Sequence, residues 1–514
     1  MKLNKKYFII LIVLIFGILF WNTTFKGDII FGDEGYYGFI SKYITQNHIY
    51  PKTEIFRDSD IYKMNLIKQP MFLLTESFFW FFGEPAVKFM IPLFSILTAF
   101  IIYIFMKKIG KENIGLFASL LYLSTHAIIT YSVLNYVDTL LLLFITCALY
   151  FGYMAFETNS KYYLHLGGIF AGLSALTKVT GPLTILLFIV YPFITKQYKN
   201  KEIIKKSLTM VLIALIMVSP FIIRNFILYK DICYAPILES KQCRETILQE
   251  APKIQGLEFA GRTAKSTIES GIISTGILVY SAFAYSWPIL LIFLFGLASM
   301  LIDKGKFKKY ILLLLLLILP LFIYLKNTRI EDLSRYTLPI IIPISIIGAS
   351  FINEFYNWAK TNQRKLLSII IISLLTIVLI HSAYIKSSSL INVKTFPPGF
   401  YDAAKWVKYN TPKDSLLLSI YAQQTAFTCD RATTTALPDM EEILLTNDDR
   451  SYQHLKLNGY DYIFVMHNII SAIPYKENFP LEFLEYIDNS DKFEKVYDNT
   501  NIYGQNGVSI YKIL

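Results

Sequence analysis

The stretch GDEGYYGFI, Gly32 to Ile40, follows directly on the first long apolar run of the chain. It sets two adjacent carboxylates, Asp33 and Glu34, where a membrane helix gives way to water. Carboxylates this close to a bilayer lose hydration unless they find partners, which points to function. The plainer alternative is that acidic residues merely flank an apolar helix, and the rest of the chain has to decide between the two.

Composition settles the class. The chain has 514 residues, 54% of them hydrophobic, and a mean hydropathy of +0.45. Soluble domains average roughly 45–50% apolar residues and do not gather them into spans of about 20. Apolar spans fall near residues 7–22, 86–106, 114–132, 137–156, 162–178, 182–195, 207–223, 272–300, 310–325, 337–352 and 366–385. The expected fold is therefore a polytopic α-helical membrane protein of about eleven transmembrane helices, the 182–195 span being short enough to be re-entrant. Met1–Trp21 has the charged start and apolar middle of a signal peptide without a small-residue cleavage site, so it reads as a retained first helix.

Basic residues set the sides. Lys2, Lys5 and Lys6 precede the first span, and Lys107, Lys108 and Lys111 follow the second. Lys161 follows the fourth, KQYKNKEIIKK the sixth, DKGKFKK the eighth, and Lys360, Arg364 and Lys365 the tenth. All fall on one side if the N-terminus is cytoplasmic. The net charge of +11 thus belongs to membrane orientation and implies no nucleic-acid partner. The opposite side receives the 23–85, 224–271 and 326–336 loops and everything after about residue 386. Two domains follow: a membrane domain over 1–385 that includes the outer loops, and an extracytoplasmic α/β domain over 386–514 with runs such as SLLLSIYA, DYIFVMH and VSIYKIL as strands and DAAKWVKYN as a helix. MFLLTESFFWFFG (71–83) is too short to span and suits the interface. Cys147 and Cys429 lie far apart, and Cys233 and Cys243 share a loop in which a bridge and two free thiols are both open.

With sides assigned, Asp33, Glu34, Lys68, Asp138, Lys178, Arg224 and Arg335 all come to the outer membrane surface. Carboxylates there can act as a general base or orient a sugar hydroxyl. Lys and Arg can hold a phosphate, and an apolar groove below would take a lipid tail. The bland readings are snorkelling for Lys178, Arg224 and Arg335, and a helix-start role for Asp138. His126 reads as a hydrogen-bonded core residue. No His/Cys/carboxylate cluster has metal-ligand spacing, although a divalent cation held by Asp33 and Asp138 stays open. A transporter or flippase for a lipid-linked glycan would need polar groups near the midplane, where these spans carry almost no charge.

The chain resembles the GT-C glycosyltransferases, in the branch of protein O-mannosyltransferases and lipid A aminoarabinose transferases. Asp33-Glu34 with Gly35-Tyr36-Tyr37 is similar to the family's acidic pair, and Lys68-Gln69-Pro70 to its Lys-Pro-Pro element with the middle proline replaced. Asp138, Gly172–Lys178, Pro220 with Arg224-Asn225, and Arg335-Tyr336 with Pro339 and Pro343 match further elements in order. The resemblance implies inverting transfer of a sugar from a polyprenyl phosphate to a protein, glycan or lipid acceptor, outside the plasma membrane of a prokaryote. Asp33 would be the base, and Glu34 and Asp138 would orient a sugar or a cation. Lys68 and Arg335, with Lys178 and Arg224, would meet the phosphate. A glycan polymerase or oligosaccharide transferase would share the architecture.

Overall fold

The computed structural model describes residues 5–29, 33–52, 66, 68–230, 232, 287–302, 311, 335, 338–434, 449–467, 479 and 481–514. A bilayer core leaves no water to satisfy the backbone, so the apolar runs close their hydrogen bonds internally as helices. In chain order these are α1 (Lys5–Lys26), α2 (Glu34–Asn47), α3 (Pro70–Trp80), α4 (Glu84–Lys108), α5 (Glu112–Ser124), α6 (His126–Val133) and α7 (Asp138–Glu157). They continue as α8 (Lys161–Ala175), α9 (Leu183–Ile194), α10 (Lys201–Tyr229), α11 (Trp287–Ile302), α12 (Ile341–Thr361) and α13 (Lys365–Val393).

Among the described residues, six helical segments are long and apolar enough to cross a membrane: Tyr7–Lys26, Glu84–Lys108, Asp138–Glu157, Lys201–Tyr229, Leu338–Thr361 and Lys365–Ile391. The pair α5 and α6, bent by 65°, makes a seventh if counted as one span. The bend replaces the straight helix expected over 114–132, because Thr125 is extended between the two halves. The runs expected over 162–178 and 182–195 are the short helices α8 and α9. Between them the chain doubles back so tightly that a Cβ on Gly181 would stand 1.9 Å from the Ser174 carbonyl oxygen. Only the second part of the 272–300 run is described, as α11, and 310–325 lies outside the described residues apart from Ile311. The last helix runs on to Val393, so a domain boundary at 385/386 would cut it.

After α13 the chain folds as α14 (Pro398–Asn410), β1 (Leu416–Leu418), α15 (Ala422–Cys429), β2 (Ala432–Thr434), α16 (Asp449–Leu457), β3 (Tyr462–Met466), α17 (Leu481–Asn489), β4 (Phe493–Asp498) and β5 (Val508–Ile513). The sheet order is β2-β1-β3-β5-β4. β1 is parallel to β2 and β3, with Leu417 opposite Thr433 and Tyr462, whereas β5 runs antiparallel to β3 and β4, with Ile510 opposite Phe464. All five residues of β3 are buried, as expected of a central strand. The sheet unit has its own apolar core, containing Phe400, Leu417, Phe464 and Tyr511. The helix bundle has another, containing Phe16, Tyr122, Leu141 and Phe188.

The two cores meet on one face of α2. Gly35, Gly38 and Lys42 share that face by helical spacing. A Cβ on Gly35 would lie 2.7 Å from the Gln423 carbonyl oxygen, and one on Gly38 would lie 2.8 Å from the Phe427 ring. One turn on, Lys42 Nζ donates to Asp430 Oδ1 at 3.0 Å. Phe427 packs against both cores. The glycines of GDEGYYGFI are therefore contact residues, and their small size brings α15 against the helix that carries the acidic pair.

Replacing glycine by alanine inside a helix ordinarily stabilises by about 1 kcal/mol. In Gly35→Ala the clash is with backbone, so overpacking of about 1–3 kcal/mol should outweigh that gain. Thermal unfolding in detergent should show a lower midpoint for Gly35→Ala than for the native chain.

Candidate active site

Asp33 immediately precedes α2 and Asp138 opens α7, so both carboxylates stand at helix N-termini, where backbone N–H groups favour negative charge. Arg335 joins them. Its Nη1 donates to Asp33 Oδ2 at 2.8 Å and its Nε to Asp138 Oδ2 at 3.3 Å. Its guanidinium lies 4.3 Å from the Tyr136 ring centre, and the Tyr136 hydroxyl in turn accepts the Asp33 N–H at 3.2 Å. Lys178 Nζ donates to the other Asp138 oxygen at 2.6 Å. The tight turn at Gly181 fixes Lys178, since Gly181 N–H donates to the Lys178 carbonyl at 2.8 Å. The Asp138 side chain is fully buried and that of Asp33 is 32% exposed.

Lys68 caps the other side of the group. Its ammonium lies 4.1 Å from the Tyr36 ring centre and 5.4 Å from that of Tyr37, in cation–π contact. Gln69 does not spoil the turn that follows: it is extended, and Pro70 starts α3 at the first helical position, where no N–H is needed. The Met71 N–H donates to the Leu176 carbonyl at 3.0 Å, tying the start of α3 to the turn that carries Lys178. Burial opposes ionisation of Asp33, but Lys68 and Arg335 overcome it and hold the carboxyl below its usual range. Among the described residues, Lys68, Lys178 and Arg335 gather around the carboxylates of Asp33 and Asp138.

Two expected residues go elsewhere. Glu34 is completely buried, and its Oε1 accepts from Lys394 Nζ at 3.1 Å and from the Asn135 backbone N–H at 2.6 Å. Its carboxylate is turned inward, onto protein groups. Arg224 donates to the Pro51 carbonyl at 2.8 Å and stacks near Tyr50 and Tyr229, so its contacts pin the segment around Pro51. Asp138 likewise orients Lys178 and Arg335. A divalent cation between Asp33 and Asp138 does not fit, because Arg335 already bridges them and Lys178 takes the remaining Asp138 oxygen. Among the described residues no other group of His, Cys, Asp and Glu converges. His126 is half-buried, and its Nε2 is 2.8 Å from Ser382 Oγ. Cys147 and Cys429 are buried free thiols, while Cys233 and Cys243 lie outside the described residues.

Sequence reasoning missed Lys394 and Glu76. Lys394 is fully buried at the end of α13. Glu76 is fully buried in α3, where Oε1 accepts from Asn135 Nδ2 at 2.6 Å and Trp80 Nε1 at 3.1 Å, and Oε2 accepts from Ser41 Oγ at 3.0 Å. Signals existed: one acid in the aromatic run MFLLTESFFWF, and a lysine just before Pro397-Pro398. Charges in such settings call for a buried partner.

The helix bundle with a sheet unit beside it is a fold shared with solved sugar-transferase structures. ArnT from Cupriavidus metallidurans in the apo state shares the fold with a TM-score of 0.67 over 99% of this chain and 98% of that one, at 13% identity. The same enzyme bound to undecaprenyl phosphate gives 0.64 over 98% and 97%, at 13% identity. The oligosaccharyltransferase AglB from Archaeoglobus fulgidus, in complex with an inhibitory peptide and a dolichol-phosphate, gives 0.65 over 91% of this chain and 70% of that one, at 13% identity. Residues 71–223 match the dolichyl-phosphate-mannose-protein mannosyltransferase family, a segment that carries Asp138 and Lys178. No curated protein sequence matches. The chain thus shares the fold of these enzymes over most of its length, and part of it matches a mannosyltransferase family model.

Burial pushes the Glu76 carboxyl up to about 7 from 4.5, against the pull of its three hydrogen-bond donors. Between those values the folded chain keeps a proton that the unfolded chain has released, so stability falls as pH rises through that window. The melting point in detergent should therefore drop more between pH 5 and pH 8 for the native chain than for Glu76→Gln. Equal drops would mean that Glu76 does not hold the proton.

Proposed function

We propose that this protein transfers a sugar, with inversion, from a polyprenyl phosphate to a protein, glycan or lipid acceptor on the extracytoplasmic side of a prokaryotic plasma membrane. The observation that carries the reading is the partly exposed Asp33 carboxylate set among Lys68, Arg335 and Lys178 at one end of the bundle. The undecaprenyl phosphate and dolichol-phosphate named with ArnT and AglB support a donor of this class. In this reading the N-terminus is cytoplasmic, and the sheet unit that follows α13 is an outer domain on the same extracytoplasmic side.

The chemistry follows from the charges. The acceptor hydroxyl gives its proton to Asp33 as its oxygen attacks the anomeric carbon. The bond from that carbon to the phosphate oxygen breaks, and the polyprenyl phosphate leaves with the electron pair. Lys68 and Arg335 stabilise the growing phosphate charge, so no separate general acid is needed. In the donor-free site Arg335 makes Asp33 a weak base. A phosphate that draws Arg335 towards itself returns basicity to Asp33 when the donor is in place. Asp138 fixes Lys178 and Arg335 from below, and Arg224 acts at a distance by holding the segment around Pro51.

The fold of AglB favours a second reading, transfer of a whole oligosaccharide. The mass of the transferred group separates the two.

Membranes supplied with a radiolabelled polyprenyl-phosphate hexose should label an acceptor, and Asp33→Asn should lower the rate at least 100-fold, the usual scale of a lost general base. Near-native transfer by this variant would remove Asp33 as the base. Lys68→Ala and Arg335→Ala should each raise the donor KM about tenfold or more, as expected for a lost phosphate contact. An unchanged donor dependence in both would refute the phosphate assignment.

A further inference from the structure

We propose that Lys394 is a positioning residue for the acidic pair, and that through it the start of the sheet unit becomes part of the catalytic apparatus. The proposal rests on the transfer reading above. Lysine is almost never fully buried unless it is paired, and both Lys394 and Glu34 have no exposed side-chain surface. Lys394 Nζ donates to Glu34 Oε1 and also to the Val133 carbonyl at the end of α6. The Asn135 backbone N–H closes on the same Glu34 oxygen, so one ammonium and one carboxylate lock α2 to the break between α6 and α7. That break carries Tyr136, which accepts the Asp33 N–H and stacks with Arg335. Asp33 itself is the residue next to Glu34.

The backbone of Lys394 is clamped as well. Its carbonyl accepts the Asp28 N–H at 3.1 Å, and its side chain crosses Gly27 where a Cβ would lie 2.8 Å from Lys394 Cβ. Two residues on, the Phe396 N–H donates to the Tyr401 hydroxyl at 3.1 Å, and that hydroxyl donates to Asp28 Oδ2. The exit of α1, the start of α2 and the end of α6 thus converge on Lys394, and the first turn of α14 is tied to the same exit through Asp28. On its far side Glu34 is linked to Glu76 through Asn135, whose backbone N–H donates to Glu34 and whose side-chain amide donates to Glu76. Nothing in this array reaches the sugar. It sets where Asp33 points.

The test uses the full-length protein in three variants, Lys394→Met, Glu34→Gln and the double variant. Removing one partner leaves the other charge buried and unpaired, so each single variant should melt at a lower temperature, and the double should recover most of that loss. If Lys394 positions Asp33, transfer should not recover with it. Each single variant and the double should keep a kcat about 10- to 100-fold below native, with donor KM within about twofold. The double should be no worse than the weaker single, because both residues act through one contact. A double variant with native melting temperature and native kcat would overturn the proposal, as would a Lys394→Met enzyme with native kcat. Amide exchange of residues 34–41, read without any donor, keeps the two readings apart. It should quicken in Lys394→Met and in the double even if the native chain transfers no hexose, and unchanged exchange would sink the positioning role alone.

Discussion

Among the described residues, the buried charges at one end of the bundle are paired, and the rest of the site depends on that constraint. Moving an unpaired carboxylate or ammonium out of water costs several kcal/mol, more than one contact can return. The chain meets the requirement with linked pairs: Lys178 with Asp138, Arg335 with Asp138 and Asp33, and Lys394 with Glu34. Partners come from helix ends far apart in sequence, so the pairs fix how α2, α7, the α8–α9 turn and the end of α13 stand relative to one another. The Asp33 carboxylate is left partly exposed, with cations on several sides.

The same helix that carries Asp33 is the one on which the sheet unit rests. Gly35 and Gly38 admit α15 to van der Waals distance on one face of α2, while Glu34 and the tyrosines look the other way into the bundle. A helix clamped on both faces has little freedom at its first turn. In the proposed reaction that rigidity would help, since a base must be held to a fraction of an ångström to be effective.

Much of this was legible in sequence. The apolar runs announced a membrane bundle, and the parity of the basic clusters brought Asp33, Lys68, Asp138, Lys178 and Arg335 to one end, where they do meet. Other features were not legible. The bend at Thr125 depends on a local turn inside a run whose hydropathy is unbroken. Glu34 and Asp33 are neighbours with the same chemistry, and no pattern in GDEGYYGFI says which faces inward. Arg224 lies at the expected depth, yet its guanidinium reaches the Pro51 carbonyl instead of the acidic group.

The sequence by itself determined that the chain enters a membrane, which residues end its spans, and hence the set of charges available at that surface, because hydropathy and charge are properties of residues one at a time. Only the tertiary structure decided how those charges divide: Asp33 open, Glu34 closed by Lys394, Asp138 enclosed by Lys178 and Arg335. The physical reason is that pairing is a relation between distant helix ends. It is set by where packing brings them, and for α2 that packing turns on two missing methyl groups at Gly35 and Gly38.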